Sequence, residues 1–243
     1  MGSVAEAFRE NRQTLALAAP MIANQLAQIM IGWTDTILVS RLGTLQLAAC
    51  AFATMLMQFC TVFAFGLVSS VSIMVSQSYG AKRYDHTGEY LWSGTVYGLG
   101  VGLLMALAIQ GFSPWLHLLG QDPALIEVGR PFLLLIGWSI VPTILQIVWK
   151  DYSEALSRPW LPFWIMMVGV LVNVVLAWAL IFGRLGLPEM GLTGAGLATL
   201  IARVVAAAGL VLAIACGKEY RPYRVARIAG SRCRKQVGTL FKL

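Results

Sequence analysis

Charge is scarce in this chain. Only 12% of its 243 residues are charged, 18 basic and 11 acidic, against 58% hydrophobic. A soluble domain carries about a quarter charged residues, so a soluble globular fold is excluded. Cysteine and histidine are equally thin. Cys50, Cys60, Cys216 and Cys233 form no CxxC pair, and His86 and His117 fall in separate predicted loops. That pattern excludes a disulfide framework and a metal cluster, and the cysteines read as small core residues. No GxSxG elbow, no HExxH helix and no pair of acids within the apolar runs is present, so catalysis has no candidates and an enzyme is not expected. A cleavable signal pattern is also missing. Residues 1–14 are polar, and the first apolar run is too long for a signal core.

What is present is a series of long apolar runs. The first, from about Leu15 to Val39, is long enough to cross a bilayer as a helix. Inside it lies NQLAQIMIGWTD, Asn24 to Asp35. At helical spacing Asn24, Gln28 and Asp35 share a side, with Gly32 leaving room beside the backbone. Asp35 is the one acid expected well inside a predicted span. An ionisable group there is costly unless it faces a cavity or a partner, and by default it marks function. Asp35 is read as a proton or cation site; a structural aspartate capped by amides is the alternative.

Five further spans follow. The turn RLGT (Arg41 to Thr44) leads to a second span, about Leu45 to Tyr79, which exceeds one bilayer thickness. Phe52, Phe59 and Phe63 form an aromatic stripe along it, read as packing or, at Phe59, as the lining of an apolar cavity. A polar loop over Gly80 to Glu89 precedes the third span, about Tyr90 to Gly111. There Gly94, Gly98, Gly102 and Ala106 form a small-residue seam for close helix approach. The fourth span, about Leu125 to Lys150, carries Pro131 and Pro142, with Gln146 one turn past the second proline. Pro142 should kink it and free a carbonyl. The fifth, about Trp160 to Phe182, has Asn173 as its one strongly polar residue. A Gly-rich link over Gly183 to Gly196 opens the sixth, which ends near Ala215 and carries Thr199 and Arg203 on one face.

Basic residues divide unevenly across these six spans. Fourteen, including Arg9, Arg12, Lys82, Arg83, Lys150, Arg158 and the cluster after Lys218, fall on the side of the N-terminus; Arg41, Arg130 and Arg184 fall on the other, and Arg203 within a span. By the positive-inside rule both termini are cytoplasmic, and a plasma (inner) membrane location is expected. The same distribution accounts for the net charge of +7 without nucleic acid: the basic tail anchors at the membrane face, against anionic lipid.

Five strings, in order, resemble the multidrug and toxic compound extrusion (MATE) family. They are GWTDTILVSRLGTLQLAA, VSQSYGAKR, SEALSRP, VNVVLAW and GLTGAGLATLIAR, and the resemblance runs from about Leu15 to Arg224. It implies an all-α membrane protein, a six-transmembrane-helix bundle corresponding to one lobe of a twelve-helix antiporter. Residues 1–14 would be a cytoplasmic lead, 15–216 the six-helix N-terminal lobe, and 217–243 a basic cytoplasmic tail. The end, QVGTLFKL, resembles the lead-in to a seventh helix. Implied function is efflux of cationic or amphipathic drug-like compounds in exchange for Na+ or H+, with no other cofactor. A second six-helix lobe or a homodimer would complete the pathway, since such transporters bind substrate between repeats.

By the same resemblance Asp35, Asn173 and Thr199 are the cation-binding residues. Asn24, Gln28, Phe59, Gln146 and Arg203 are candidates for the substrate cavity. Two positions depart from the family pattern. Ala177 stands where many relatives carry a polar residue one turn after the asparagine, and Val175 where a proline is usual, so the cation site is expected either to be weaker or to use water in place of a side chain. Arg203 is expected either to pair with Asp35 or to snorkel to the membrane face. Alternatives are a lipid-linked oligosaccharide flippase of similar fold, or a non-transporting fragment that needs a partner lobe.

Overall fold

The computed structural model describes residues 2–223, and side chains from Ala18 onward except those of Asp85, Leu119 and Arg221. Among these residues every regular element is helical. The α-helices are α1 (Gly2–Ser40), α2 (Thr44–Gly80), α3 (Tyr84–Phe112), α4 (Pro123–Trp138), α5 (Ile140–Ala155), α6 (Trp160–Ile181) and α7 (Gly191–Cys216). Short 3-10 segments cover Ser113–Leu119 and Lys218–Tyr223. The side chains of Arg9 and Arg12, and everything from Arg224 on, including Cys233 and QVGTLFKL, lie outside the described residues.

Helices α4 and α5 make one span broken at Ser139. Proline has no N–H to bond the carbonyl four residues back. For Pro142 that carbonyl is on Trp138, the last residue of α4. Side chains take up backbone carbonyls around the break. Ser139 donates to Ile136 O at 2.6 Å, Thr143 to Ser139 O at 2.7 Å, and Gln110 of α3 to Leu134 O at 3.0 Å. The helix is interrupted at this one residue, three before the proline, where the sequence predicts a kink.

Among the described residues five spans are long and apolar enough to cross a bilayer, where the sequence predicts six. Helix α1 is diluted by Asn24, Gln25, Gln28 and Asp35. The α4–α5 span sits at the centre: 61% of its most apolar stretch is buried, against 22% for α2 and for α3. Around it, α2 and α3 form one flank, and α6 packs on both α1 and α7 to form the other. Trp149, Ile140 and Ile144 of α5 are fully buried. The outer surface carries Trp33, Met55, Phe59, Leu104 and Leu212, which suits contact with lipid rather than water.

Small residues bring the helices together. A Cβ on Gly98 would lie 3.1 Å from both Ile144 and Val148 of α5, one on Gly102 3.2 Å from the Val141 backbone, and one on Gly94 2.6 Å from Val71 of α2. The expected seam therefore faces the interior of the bundle. Between α1 and α2 the chain turns at Gly43 with φ +121°, a conformation that only glycine adopts without strain.

Several expected boundaries move. Helix α1 already includes the polar lead. The polar loop at 80–89 shrinks to 81–83, because α2 and α3 extend into it. Likewise α5 runs on through Asp151 and Glu154, past the expected end of the fourth span at Lys150. Asp35 is thus not the sole acid within a long helix: Glu89 is buried on α3, and Glu154 lies on α5 with its side chain 10% exposed. The start of the tail is docked, not free. Tyr220 is buried and its hydroxyl lies 2.7 Å from Ser153 Oγ, while the Tyr223 ring sits 6.1 and 5.7 Å from those of Tyr79 and Tyr84. Arg158 pairs with Glu219 and lies over the Tyr220 ring. Cys216, expected in the core, is exposed.

Candidate cation site

Helix α1 presents Asp35 to α6 and α7. Thr199 Oγ1 donates to Asp35 Oδ2 at 2.9 Å, and Asn173 Nδ2 donates to Thr199 Oγ1 at 3.3 Å. Asp35, Asn173 and Thr199 are 8%, 0% and 5% exposed. Three side chains far apart in the chain thus converge in the interior. Close packing of α6 on α7 permits this: a Cβ on Gly194, one turn before Thr199, would lie 2.7 Å from Leu180 O. Beside Asn173 on α6, Ala177 is fully buried and offers no oxygen.

Two oxygens in this cluster are buried without a partner, Asp35 Oδ1 and Asn173 Oδ1. A buried acceptor left unpaired costs about 1–3 kcal/mol, and more for a charged group. Both are hard oxygen donors of the kind that hold hard cations.

Arg203 lies one turn beyond Thr199. Its Nη1 donates to Thr143 Oγ1 of α5 at 2.5 Å, and its backbone carbonyl accepts from Gln146 Nε2 at 2.6 Å. The guanidinium therefore reaches into the bundle rather than snorkelling outward. It makes no ion pair with Asp35 within 4.0 Å, although the two charges act on each other. Arg203, Gln146 and Gln28 line one small cleft with Ile31, Met166 and Ala202.

The other expected cavity residues separate. Asn24 is buried, bonding to Glu154 of α5. Phe59 is 78% exposed on the outer surface, as Phe63 is at 57%, so neither lines a cavity within the bundle. The inward face of α2 is taken by Ala53, Met57, Ala64 and Val68, which leaves these rings facing out. Sequence reading missed the group around Glu154. The signal was Gln146, Lys150 and Glu154 at successive i, i+4 spacings, hidden by ending the fourth span at Lys150.

The MatE family matches residues 20–179. Among curated relatives, the probable multidrug resistance protein NorM of Bradyrhizobium diazoefficiens is 35% identical over 216 residues, covering 87% of this chain and 46% of the relative. That of Mesorhizobium japonicum is 32% identical over 226 residues, covering 89% and 47%. Among solved structures, the eukaryotic MATE transporter AtDTX14 superposes with a TM-score of 0.87 at 22% identity, over 97% of this chain and 51% of that one. The Vibrio cholerae MATE transporter VcmN, in its bent form, gives 0.79 at 23% identity, over 93% and 51%. The chain spans about half the length of the curated relatives it matches. A multi-pass membrane bundle with this fold and these matches belongs to the MatE family.

Proposed function

We propose that this chain is the N-terminal lobe of a multidrug efflux antiporter, with Asp35, Asn173 and Thr199 as the site of its coupling cation, Na+ or H+. The observation that carries the reading is the buried Asp35–Thr199–Asn173 chain with its two unpaired oxygens. A carboxylate held in a bilayer by one hydroxyl has a strong demand for a counter-charge. A proton on Asp35 meets it, and so does a sodium ion held by Asp35, Asn173 and Thr199 oxygens with water in place of the side chain that Ala177 lacks.

Substrates in this reading are cationic or amphipathic drug-like compounds, as the naming of the relatives suggests. The substrate pathway lies between this lobe and a second six-helix unit, from another chain segment or a second copy. The polar residues Gln28, Gln146 and Arg203 are on the lobe's side of that pathway. Both termini face the cytoplasm from the plasma membrane, in keeping with the distribution of basic residues. No separate cofactor and no nucleic acid enters the reading. The flippase alternative calls for several basic groups facing a lumen, and among the described residues Arg203 is the half-buried basic side chain beside the Asp35 site.

Co-expression with a complementary six-helix half tests this. Cation-dependent ethidium efflux should appear with the pair and vanish when Asp35→Asn is introduced. Efflux that survives Asp35→Asn with unchanged cation dependence overturns the assignment.

A further inference from the structure

Arg203 brings a positive charge into the bundle one turn after Thr199, which holds Asp35. Four residues rise about 6 Å along a helix, and side chains on a helix lean toward its N-terminus. The guanidinium is therefore rooted within reach of the Asp35 carboxylate. Yet the two form no ion pair within 4.0 Å, and Asp35 Oδ1 is left without a partner. We propose that Arg203, held off Asp35 by Thr143, keeps a cation at Asp35 exchangeable, on the reading of Asp35 as the cation site.

Helix α5 grips Arg203 twice. Thr143 Oγ1 accepts from Nη1 at 2.5 Å, and Gln146 Nε2 donates to the Arg203 backbone carbonyl at 2.6 Å. Thr143 is itself fixed. It is buried, and its hydroxyl donates to Ser139 O at 2.7 Å, at the interruption between α4 and α5. With its one proton committed there, the hydroxyl has only lone pairs to offer, and a guanidinium offers only donors. Thr143 and Gln146, three residues apart, share a face of α5. The arginine is thus bound at its backbone and at its tip by the helix at the centre of the bundle.

The purpose follows from the charges. Asp35 and Arg203 together are neutral, and unbalanced charge in a membrane span is costly. A cation on Asp35 makes the pair net positive, and the guanidinium repels it. Without Arg203, the carboxylate would attract its cation unopposed in a low-dielectric interior, and a carrier must also release. In direct contact, Arg203 would instead cover the Asp35 oxygen that the cation needs. A guanidinium near enough to be felt and too far to touch lets the site both fill and empty. The two charges act on each other across this gap. A merely structural arginine would need Thr143 but not Asp35. A plain ion pair would need Asp35 but not Thr143.

Equilibrium binding of radioactive sodium to the purified chain in detergent micelles, at fixed pH with choline as the balancing cation, tests it. Asp35→Asn identifies the sodium that belongs to Asp35. Arg203→Gln should tighten that sodium about tenfold or more, the scale of repulsion between charges a few ångströms apart at intermediate dielectric. Thr143→Val keeps every charge and should weaken it, because the released guanidinium closes on Asp35. Damage to the fold would weaken sodium in both. Gel filtration and thermal melting establish that each variant is folded, and Thr143→Val decides if Arg203→Gln is not. Sodium unchanged or weakened in Arg203→Gln overturns the proposal, as does an unchanged affinity in Thr143→Val. If no variant binds sodium at Asp35, the assignment of sodium to Asp35 falls, and melting in choline decides the role of Arg203. Arg203→Gln should then lower the melting temperature of the unsubstituted chain and spare that of Asp35→Asn. Equal shifts in the two backgrounds overturn the proposal.

Discussion

Thr199 donates its hydroxyl to the Asp35 carboxylate across 2.9 Å, joining α7 to α1 over 164 residues of sequence. The same oxygen accepts from Asn173, so one hydroxyl holds three helices in register. Thr199→Val keeps the shape and removes both bonds. Hydrogen bonds between membrane helices are worth about 0.6 kcal/mol on average and up to about 1.7. The expected result is a modest fall in thermal stability in detergent, within that range, with a large loss of cation binding at Asp35. An unchanged cation affinity would mean that the hydroxyl is only structural.

Gly98→Leu should cost far more stability than its chemistry suggests. Its Cβ would already stand 3.1 Å from Ile144 and Val148, and three more carbons have nowhere to go. Overpacking costs about 1–3 kcal/mol, so melting in detergent should shift clearly downward. Gly100→Leu is the control, because a Cβ there meets nothing within 4 Å. Equal effects of the two would show that helix propensity, not packing, is being measured.

The residues of the Asp35 cluster were legible because each is conspicuous in its own span. A lone acid in the first apolar run and a lone amide in α6 must find partners in lipid, and each is the other's nearest kind. The seam at Gly94, Gly98 and Gly102 was legible for a similar reason, since spacing of four puts it on one face. What failed was polarity used as a sign of loop. Tyr84 to Glu89 and Asp151 to Ala155 are polar yet helical, because helices extend past the hydrocarbon and their acids pair along the helix. At Phe59 the limit was different. Periodicity says which residues share a face, but not whether that face meets protein or lipid, and here the small residues of α2 took the inside.

Phe59→Ala should leave the isolated chain's melting temperature nearly unchanged, despite removing a large aromatic. The ring is 78% exposed and contributes little to the core of the bundle. The same substitution made where a second lobe is present reads out whether that partner covers the ring. A large destabilisation of the isolated chain would contradict the exposed placement.

Reporter fusions at His117 and after Leu243 should report opposite sides of the membrane. His117 lies in the 3-10 segment between α3 and α4, and in the proposed six-span reading three spans separate it from the tail, which the basic residues would place inside. Reporters on the same side would break the count of spans, and with it the pairing of depths between Asp35 and Thr199.

Expressed alone, the chain should give no resistance to ethidium or norfloxacin. It covers 46–47% of relatives named for multidrug resistance, and substrate sites in such transporters form between two repeats. In the proposed reading one lobe holds the whole cation site, because Asp35, Asn173 and Thr199 all lie buried in this bundle. It does not supply both walls of a substrate path. Cation binding and drug efflux should therefore separate: purified chain binds cation, while cells carrying it alone remain drug-sensitive. Robust efflux from the chain alone would show two copies acting as the two lobes. Cross-linking at Phe59, on the exposed face of α2, should then trap a dimer, and mixing with Asp35→Asn copies should lower efflux in proportion to their share.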